Sequence, residues 1–350
     1  MQNRRPFLSF TVSGEDDGRV LAHLLRRRWR MSRGFLRQLK RGPFVCLNGR
    51  PVPLRQTVAA GDRVEVYVPV HVESPVAPEP LPLAIVYEDE HVLVLDKPAG
   101  VLVHPAHGER SGTLANGVAH HLLAQGVPPL VAPVTRLDRD TSGLVLFAKH
   151  PHAHHVLAQA LAAGRLRRTY LAIAQGLVPG PSGVIDAPIR RVPGELTRRE
   201  VASDGQRAVT RYSVLAYSPG PAAASSPDSG HAASRPAPAP PPDSPAHAAL
   251  AGGATLLALT LETGRTHQIR VHLAHAGHPV LGDRLYGCPL PGLLERQALH
   301  AWRLHFPHPH DERVLALISP LPPDIDRLRA LLALPDPDLG PTDVTPIRRT

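Results

Sequence analysis

The stretch from residue 218 to residue 252 constrains the fold most, because it cannot contribute to a hydrophobic core. It reads SPGPAAASSPDSGHAASRPAPAPPPDSPAHAALAG, and so much proline, alanine and serine predicts a disordered insertion. Strand-like sequence flanks it, AVTRYSVLAY before and ATLLALTLETG after. We therefore predict that these two strands pair as a hairpin with an enlarged connection, since the entropy of loop closure grows slowly with loop length.

Short apolar runs separated by turn signals predict an α+β fold for the larger part of the chain. The segment IVYEDEHVLVLDKPAGVLVHP reads as strand, turn and strand, and helical patterns occur at residues 113–125 and 152–163. Strands mixed with a few helices favour a largely antiparallel mixed sheet with flanking helices and loops. We place this domain at residues 84–320 and expect a C-terminal helix and tail over 321–350.

A small α/β unit is predicted over residues 1–70. RVLAHLLRRRW has leucines at helical spacing, Ser32 is a candidate N-cap for a second short helix, and Asn48-Gly49 signals a hairpin. The second helix would expose four basic side chains, at Arg33, Arg37, Lys40 and Arg41. Such clustering indicates RNA contact, with a merely solvated surface as the alternative. Residues 71–83 are Pro-rich, lack periodicity and are predicted to form a linker.

The formal net charge of +9 suggests a polyanionic partner, nucleic acid first and an acidic membrane second. Nearly all of the positive charge is arginine, which reflects compositional bias in part, so charge alone does not establish the partner. Cys46 and Cys288 lie far apart in no metal-type spacing, and no apolar run approaches membrane-spanning length. We therefore expect a cytoplasmic protein with no membrane partner.

Motifs for cofactors and metals are missing from the sequence. Neither common glycine-rich phosphate loop occurs. Four histidines cluster late in the chain, at His267, His272, His275 and His278. They are joined by no cysteine and no H-E-x-x-H pattern, and a zinc site needs a full ligand set. We predict no metal and no cofactor.

The segment TRLDRDTSG, residues 135–143, contains the candidate catalytic residue. In an extended chain Arg136, Asp138 and Asp140 share one face. Asp140 precedes Thr-Ser-Gly, where a short acceptor side chain stabilises a turn, whereas Asp138 has no comparable local role. Charge alternation alone favours a solvated, salt-bridged turn, because surface ion pairs are common.

Three further segments favour a catalytic role for Asp138 over a solvated turn. They are LDKPAGVLVHP, RRTYLAIAQG and LETGRTHQIRVHLAHAGHPVLGDRLYG. Together with residues 135–143 they resemble the RluA-type family of RNA pseudouridine synthases. The family pattern H-R-L-D-x-x-T-S-G is met except that Thr135 replaces the histidine, and T-G-R-T-H-Q-I-R-V-H is met in full. K-x-Y-x-A is met around Tyr170 with Arg168 in place of lysine, and LHAWRLHFPHP is similar to the closing strand region.

The resemblance covers about residues 18–310 and implies an isomerase that converts a uridine of RNA to pseudouridine. It implies that Asp138 is the catalytic carboxylate, that Arg265 pairs with it, and that Tyr170 stacks on the extruded uracil. Arg136 matches an arginine implicated in filling the space that the base vacates; a phosphate contact is the alternative. Neither departure from the pattern affects Asp138 or Arg265.

The resemblance also implies an S-four-type RNA-binding module at the N-terminus and a target in large-subunit rRNA, with tRNA possible; we expect a monomer. The alternative is an RNA-binding or ribosome-assembly protein that has kept the fold and lost turnover. Such a binder has no need to keep Asp138, Arg265 and Tyr170 together, and all three are present. A metal hydrolase would require carboxylate and histidine pairs at ligand spacing, which the sequence lacks.

Overall fold

The computed structural model describes residues 6–67, 69, 76–106, 108–127, 131–220, 244–287 and 289–337. The described chain forms a four-stranded sheet, a ten-stranded sheet and a two-stranded ribbon. Of the helices within these ranges, none has the length and apolar character needed to cross a bilayer. Most of the predicted insertion, the end of the tail, part of the linker and Cys288 lie outside the described residues.

The N-terminal unit contains the four-stranded sheet, in the order β1-β4-β2-β3, and two helices. Its elements are β1 (Leu8–Thr11), α1 (Leu21–Arg27), α2 (Arg33–Leu39), β2 (Val45–Leu47), β3 (Arg50–Pro51) and β4 (Arg63–Val66). The Ser32 side chain accepts a hydrogen bond from Phe35 N at 3.1 Å, which confirms the predicted N-cap. Asn48 and Gly49 both have positive φ and connect β2 to β3, as their hairpin signal predicts.

The larger domain is built on the ten-stranded sheet, in the order β10-β13-β14-β9-β15-β8-β6-β5, with β16 beside β15 and β7 beside β8. Its strands are β5 (Ile85–Glu88), β6 (Val92–Lys97), β7 (Ala132–Pro133), β8 (Ser142–Ala148), β9 (Arg167–Gln175), β10 (Ser182–Asp186), β11 (Ile189–Arg191), β12 (Arg199–Val201), β13 (Val209–Ser218), β14 (Ala254–Leu261), β15 (Leu299–Pro307) and β16 (Val314–Ile318). Its helices are α3 (Leu114–Ala124), α4 (Pro151–Ala162), α5 (Pro245–Ala251), α6 (Gln268–His275) and α7 (Pro323–Leu331). The pairing is antiparallel except between β15 and β8, and β11 and β12 form the ribbon. The predicted α+β fold is confirmed.

The hairpin predicted across the insertion is present, because Ser218 of β13 pairs with Ala254 of β14. The prediction that all of residues 218–252 are disordered is wrong at its C-terminal end. There, helix α5 begins after Ser244, whose side chain accepts from His247 N at 3.1 Å. Leu250 of this helix is fully buried in the main core. Ala246 and Ala249 are buried in the same core, so this face of α5 docks against the apolar surface of the domain.

The parallel contact between β8 and β15 lies at the start of β8, directly after the TRLDRDTSG loop. Gly143 is registered with Ala301 there. Gly143 has φ 108°, and a Cβ at this position would lie 2.3 Å from Ala301 O. Only glycine permits this approach, so the strand that follows the loop sits close against β15.

Histidines from the larger domain contact aromatic rings of the N-terminal unit. Phe7 lies 4.4 Å from His150 between ring centroids, and Trp29 stacks on His310 at 5.8 Å. His150 Nε2 lies 2.9 Å from His91 Nδ1, and His150 Nδ1 accepts from Ala153 N at 3.1 Å as the N-cap of α4. The hydrogen bonds of His150 require a neutral imidazole, because a protonated Nδ1 cannot accept the capping hydrogen bond.

We expect this interface to lose stability as the pH falls from about 6.5 towards 4. Burial lowers the pKa of His91 and of His152 to about 4 and holds that of His150 well below its ordinary value. Between pH 6.5 and 4 the unfolded chain therefore binds more protons than the folded chain. The contribution of these histidines to the free energy of unfolding is fully present above pH 6.5 and falls below it, by up to about 1.4 kcal/mol per histidine per pH unit. Thermal unfolding between pH 8 and pH 4 measures this slope.

The variant His152→Gln should flatten the pH dependence of unfolding, because it removes one titrating ring from the interface. His120→Gln, at an exposed histidine of α3, is the control, and its slope of stability against pH should match that of the wild type. Identical slopes for His152→Gln and the wild type would contradict this assignment.

Candidate active site

The loop of residues 134–141 connects β7 to β8 and carries Asp138. Thr141 N donates to Asp138 O at 3.2 Å, which closes a tight turn. The Asp138 side chain is 23% exposed, so its carboxylate faces a partly open site. Asp140 was predicted to stabilise the turn through its side chain. In the structure, the backbone oxygen of Asp140 accepts from Arg296 Nη1 at 3.0 Å.

Lys97, from the LDKPAG segment, anchors this loop from one side. Its Nζ donates to Pro98 O at 2.7 Å, Val101 O at 2.7 Å and Arg139 O at 2.6 Å. Burial lowers the pKa of Lys97 to about 7, while the Asp140 and Asp138 carboxylates act in the opposite direction. Three carbonyl acceptors on one buried side chain fix the backbone next to Asp138.

Arg296 and Thr135 anchor the loop from other directions. Arg296 is held by Asp324 of α7, through Nε to Oδ2 at 2.6 Å and Nη2 to Oδ1 at 2.9 Å. Thr135 is buried, and its Oγ1 accepts from Leu146 N at 3.0 Å. The residue that departs from the family pattern therefore has a structural role here, because it ties the start of the loop to the second half of β8.

A buried guanidinium, that of Arg270 on α6, pairs with Asp138. Arg270 Nη1 lies 3.2 Å from Asp138 Oδ2, and the arginine side chain is 8% exposed. Its other nitrogens bind Asp283, Nε to Oδ2 at 2.6 Å and Nη2 to Oδ1 at 2.8 Å. The pKa of Asp283 is lowered by these bonds against the opposing effect of burial. One arginine thus joins the Asp138 loop to the loop that follows α6.

The prediction that Arg265 pairs with Asp138 is wrong. Gln268 is buried and its Oε1 accepts from Arg265 N at 3.0 Å, which fixes the backbone where the chain enters α6. The exposed Arg265 side chain then lies beside β13, and its Nε donates to Arg207 O at 3.1 Å. Arg270 lies inside the first turns of α6 instead, on the face that packs towards the Asp138 loop.

Tyr170 lies in β9, registered with Ala301, the same residue that faces Gly143 across the parallel contact. It is 4% exposed. Burial raises the pKa of its hydroxyl; Asp138 adds to the rise, and Arg168 opposes it. The registers of β8 and of β9 on β15 place Tyr170 across β15 from Gly143, at the end of the loop that carries Asp138.

The remaining predicted residues lie on the surface. Arg136 is exposed and close enough to lower the pKa of His104 together with burial of that ring. The four predicted RNA contacts of the N-terminal unit are exposed on and after α2, at Arg33, Arg37, Lys40 and Arg41. They lie in the N-terminal unit, apart from the loop that carries Asp138.

The late histidines do not converge on one point. His272 is fully buried between Thr210 Oγ1 and Ala187 O, each at 2.9 Å, and His278 Nδ1 contacts Gln175 O at 3.0 Å. Within the described ranges, no group of three histidine, cysteine or acidic side chains has the geometry of a metal site.

Sequence reasoning missed Arg270, Asp283 and Lys97. A usable signal was present for the first two, since an arginine flanked by apolar residues on a helix requires a buried carboxylate, and Asp283 follows the apolar run PVLG. Lys97 is the last residue of β6, after the apolar run VLVL and Asp96, and the sequence gives no local indication that its side chain is buried.

A family model described as RNA pseudouridylate synthase matches residues 91–275. The chain is 37% identical over 321 residues to "Uncharacterized RNA pseudouridine synthase YhcT" of Bacillus subtilis, an alignment covering 92% of this chain and 96% of that one. It is 36% identical over 328 residues to "Ribosomal large subunit pseudouridine synthase D" of Nitrosomonas europaea, covering 90% and 84% respectively. The solved structure "Human RNA Pseudouridylate Synthase Domain Containing 1" superposes with a TM-score of 0.51 at 25% identity, covering 73% of this chain and 97% of the human one.

Replacing Lys97 with methionine should lower the free energy of unfolding by about 2–4 kcal/mol, because buried carbonyl groups lose their donor. Urea unfolding followed by intrinsic fluorescence measures the change. Lys40→Met, at an exposed lysine, is the control and should stay within about 0.5 kcal/mol of the wild type. A Lys97→Met protein as stable as this control would show that the three carbonyls do not depend on the ammonium group.

Proposed function

The chain belongs to the RNA pseudouridylate synthase family and is an isomerase that converts uridine to pseudouridine, and on that basis we propose that Asp138 is its catalytic carboxylate and that its target is a uridine of large-subunit rRNA. The observation that carries the first proposal is the pairing of a partly exposed carboxylate with the buried Arg270, beside Tyr170. The second is supported by relatives that are named for the large ribosomal subunit.

Pseudouridine formation breaks the bond between C1′ of the ribose and N1 of uracil and rejoins the base through C5. The sugar becomes electron-poor as the first bond breaks. An ionised carboxylate beside C1′ can attack that carbon or stabilise it electrostatically. In this proposal Asp138 has that role, and Arg270 holds the carboxylate in place through a charge-assisted hydrogen bond.

Tyr170 is proposed to contact the face of the extruded uracil. The target base must leave its stack to reach a carboxylate inside a protein site, and an aromatic ring is a suitable surface for it. Because the pKa of Tyr170 is raised, we assign the side chain a stacking role as a neutral phenol and no role as a phenolate base.

Two basic surfaces are proposed to hold the RNA backbone, one beside α6 and one on the N-terminal unit. A cavity of about 470 Å³ between the β11–β12 ribbon and α6 is lined by Arg198, Arg199 and Tyr286, and Tyr286 also contacts Arg270. On the N-terminal unit, α2 exposes a cluster of positive charge, consistent with an S-four-type RNA-binding module. Such contacts fix register on RNA through phosphate groups.

Asp138→Asn should abolish turnover while the protein stays folded and binds RNA. The amide keeps the shape of the carboxylate but cannot supply negative charge at C1′. The assay is release of tritium from C5 of labelled uridine in large-subunit rRNA transcripts. Asp140→Asn is the matched control and should retain substantial activity, because Asp140 contributes its backbone oxygen to the loop. Turnover by Asp138→Asn would overturn the assignment, and a wild type that binds without turnover would favour the inactive RNA-binding alternative.

Arg270→Lys should reduce kcat at least about 100-fold, which corresponds to about 2.7 kcal/mol. One ammonium group cannot bridge two carboxylates in the way that the guanidinium does. Arg265→Lys should remain within about threefold of the wild type in the same tritium-release assay, less than 1 kcal/mol. The reverse order of the two variants would restore the original pairing of Arg265 with Asp138.

A further inference from the structure

We propose that His267 is a further substrate-contacting residue, whose Nε2–H donates a hydrogen bond to a carbonyl oxygen of the extruded uracil. This inference rests on the proposed function of the Asp138 site. His267 lies directly before α6, three residues from Arg270, and belongs to none of the roles assigned above.

The backbone of His267 has an unusual conformation. Its φ of 58° and ψ of 18° lie in the left-handed region, which is unfavourable for a residue with a Cβ and readily adopted by glycine. Residues held in this region cluster at functional sites. A histidine at this position therefore costs conformational energy that glycine would avoid. A functional role for the imidazole explains why a histidine stands there.

The Tyr286 hydroxyl forms a hydrogen bond with one ring nitrogen of His267, Nδ1. The Tyr286 hydroxyl oxygen accepts from Arg199 N at 2.8 Å, and the same hydroxyl lies 2.8 Å from His267 Nδ1. In the arrangement that we propose, the hydroxyl oxygen accepts from the Arg199 amide and its proton is donated to Nδ1. The imidazole proton then resides on Nε2, so the ring presents a donor on its other side.

The surroundings of His267 keep the ring neutral and close to the reaction. Its pKa is lowered by burial first and by the neighbouring Arg270 and Arg199, while the Asp138 and Asp283 carboxylates oppose the shift. The Tyr286 ring meets the imidazole edge to face at 5.6 Å between centroids, and its face lies 5.1 Å from the Arg270 guanidinium. The imidazole is thus part of the group of side chains that positions Asp138.

The chemistry explains what a donor would do at this place. When the C1′–N1 bond breaks, its electron pair stays on the uracil ring and is delocalised onto the carbonyl oxygens. These electrons then form the C5–C1′ bond, C5 loses its proton and N1 gains one, so the reaction balances without a co-reactant. A fixed N–H donor stabilises the charge that develops on oxygen and acts on kcat more than on binding.

The test compares His267→Gly with His267→Asn in the tritium-release assay and in thermal unfolding. Glycine relieves the backbone and removes the donor, so we expect unchanged or higher stability, a fall in kcat of about 100-fold and a KM for RNA within about threefold of the wild type. Asparagine tolerates left-handed backbone and keeps an N–H donor, so its kcat should lie at least about threefold above that of the glycine variant. His120→Asn, at an exposed histidine of α3, should leave all values unchanged.

The inference is overturned if His267→Gly keeps the wild-type kcat, or if it loses stability while the asparagine variant shows no recovery of kcat, since the ring would then serve the fold alone. Asp138→Asn is assayed in parallel on both rRNA and tRNA transcripts. Turnover by Asp138→Asn counts against the proposed catalytic residue, and turnover of tRNA but not rRNA by the wild type counts against the proposed target. Either result leaves the comparison of the His267 variants interpretable.

Discussion

The geometry of the site depends on one buried guanidinium. An arginine that is 8% exposed is strongly destabilising unless carboxylates surround it, because breaking a buried ion pair leaves an uncompensated charge. Asp283 is fully buried and occupies two of the nitrogens of Arg270, which leaves Nη1 directed towards Asp138. The closest contacts are those to Asp283. This network therefore holds helix α6, the loop after it and the loop before β8 in one arrangement. Of the three charged side chains, that of Asp138 is the most exposed.

The sheet brings these pieces together at its one parallel contact. β8 and β15 run side by side from Gly143 and Ala301, and β9 lies on the other side of β15. The loop that precedes β8 therefore opens beside Tyr170 of β9. In an otherwise antiparallel sheet, this parallel contact places a loop from the first half of the domain against strands from its second half.

Local patterns predicted local structure well in this chain. The cap at Ser32 and the turn at Asn48 follow from residues close in sequence. The pairing of β13 with β14 follows from the strand-like sequence on both sides of the insertion. The pairing of Asp138 was mispredicted because Arg265 and Arg270 occupy one motif, and the choice between them depends on how Gln268 fixes the start of α6.

The histidines at the interface and the docking of α5 were likewise beyond local patterns, since both depend on surfaces formed by distant segments. Asp138 as the catalytic residue and Tyr170 as the stacking residue stay predictions, which their positions in the site support.

The support of the Asp138 loop explains how Thr135 can stand where the family pattern has histidine. Lys97 and Arg296 bind backbone oxygens within the loop, those of Arg139 and Asp140. Thr135 itself accepts a backbone N–H from Leu146, in the second half of β8. Backbone atoms are the same whatever side chains the loop carries, so these bonds hold its course without using the carboxylates. The loop is therefore held without a histidine at position 135. Because these bonds do not use the carboxylate of Asp138, that carboxylate remains available to pair with Arg270.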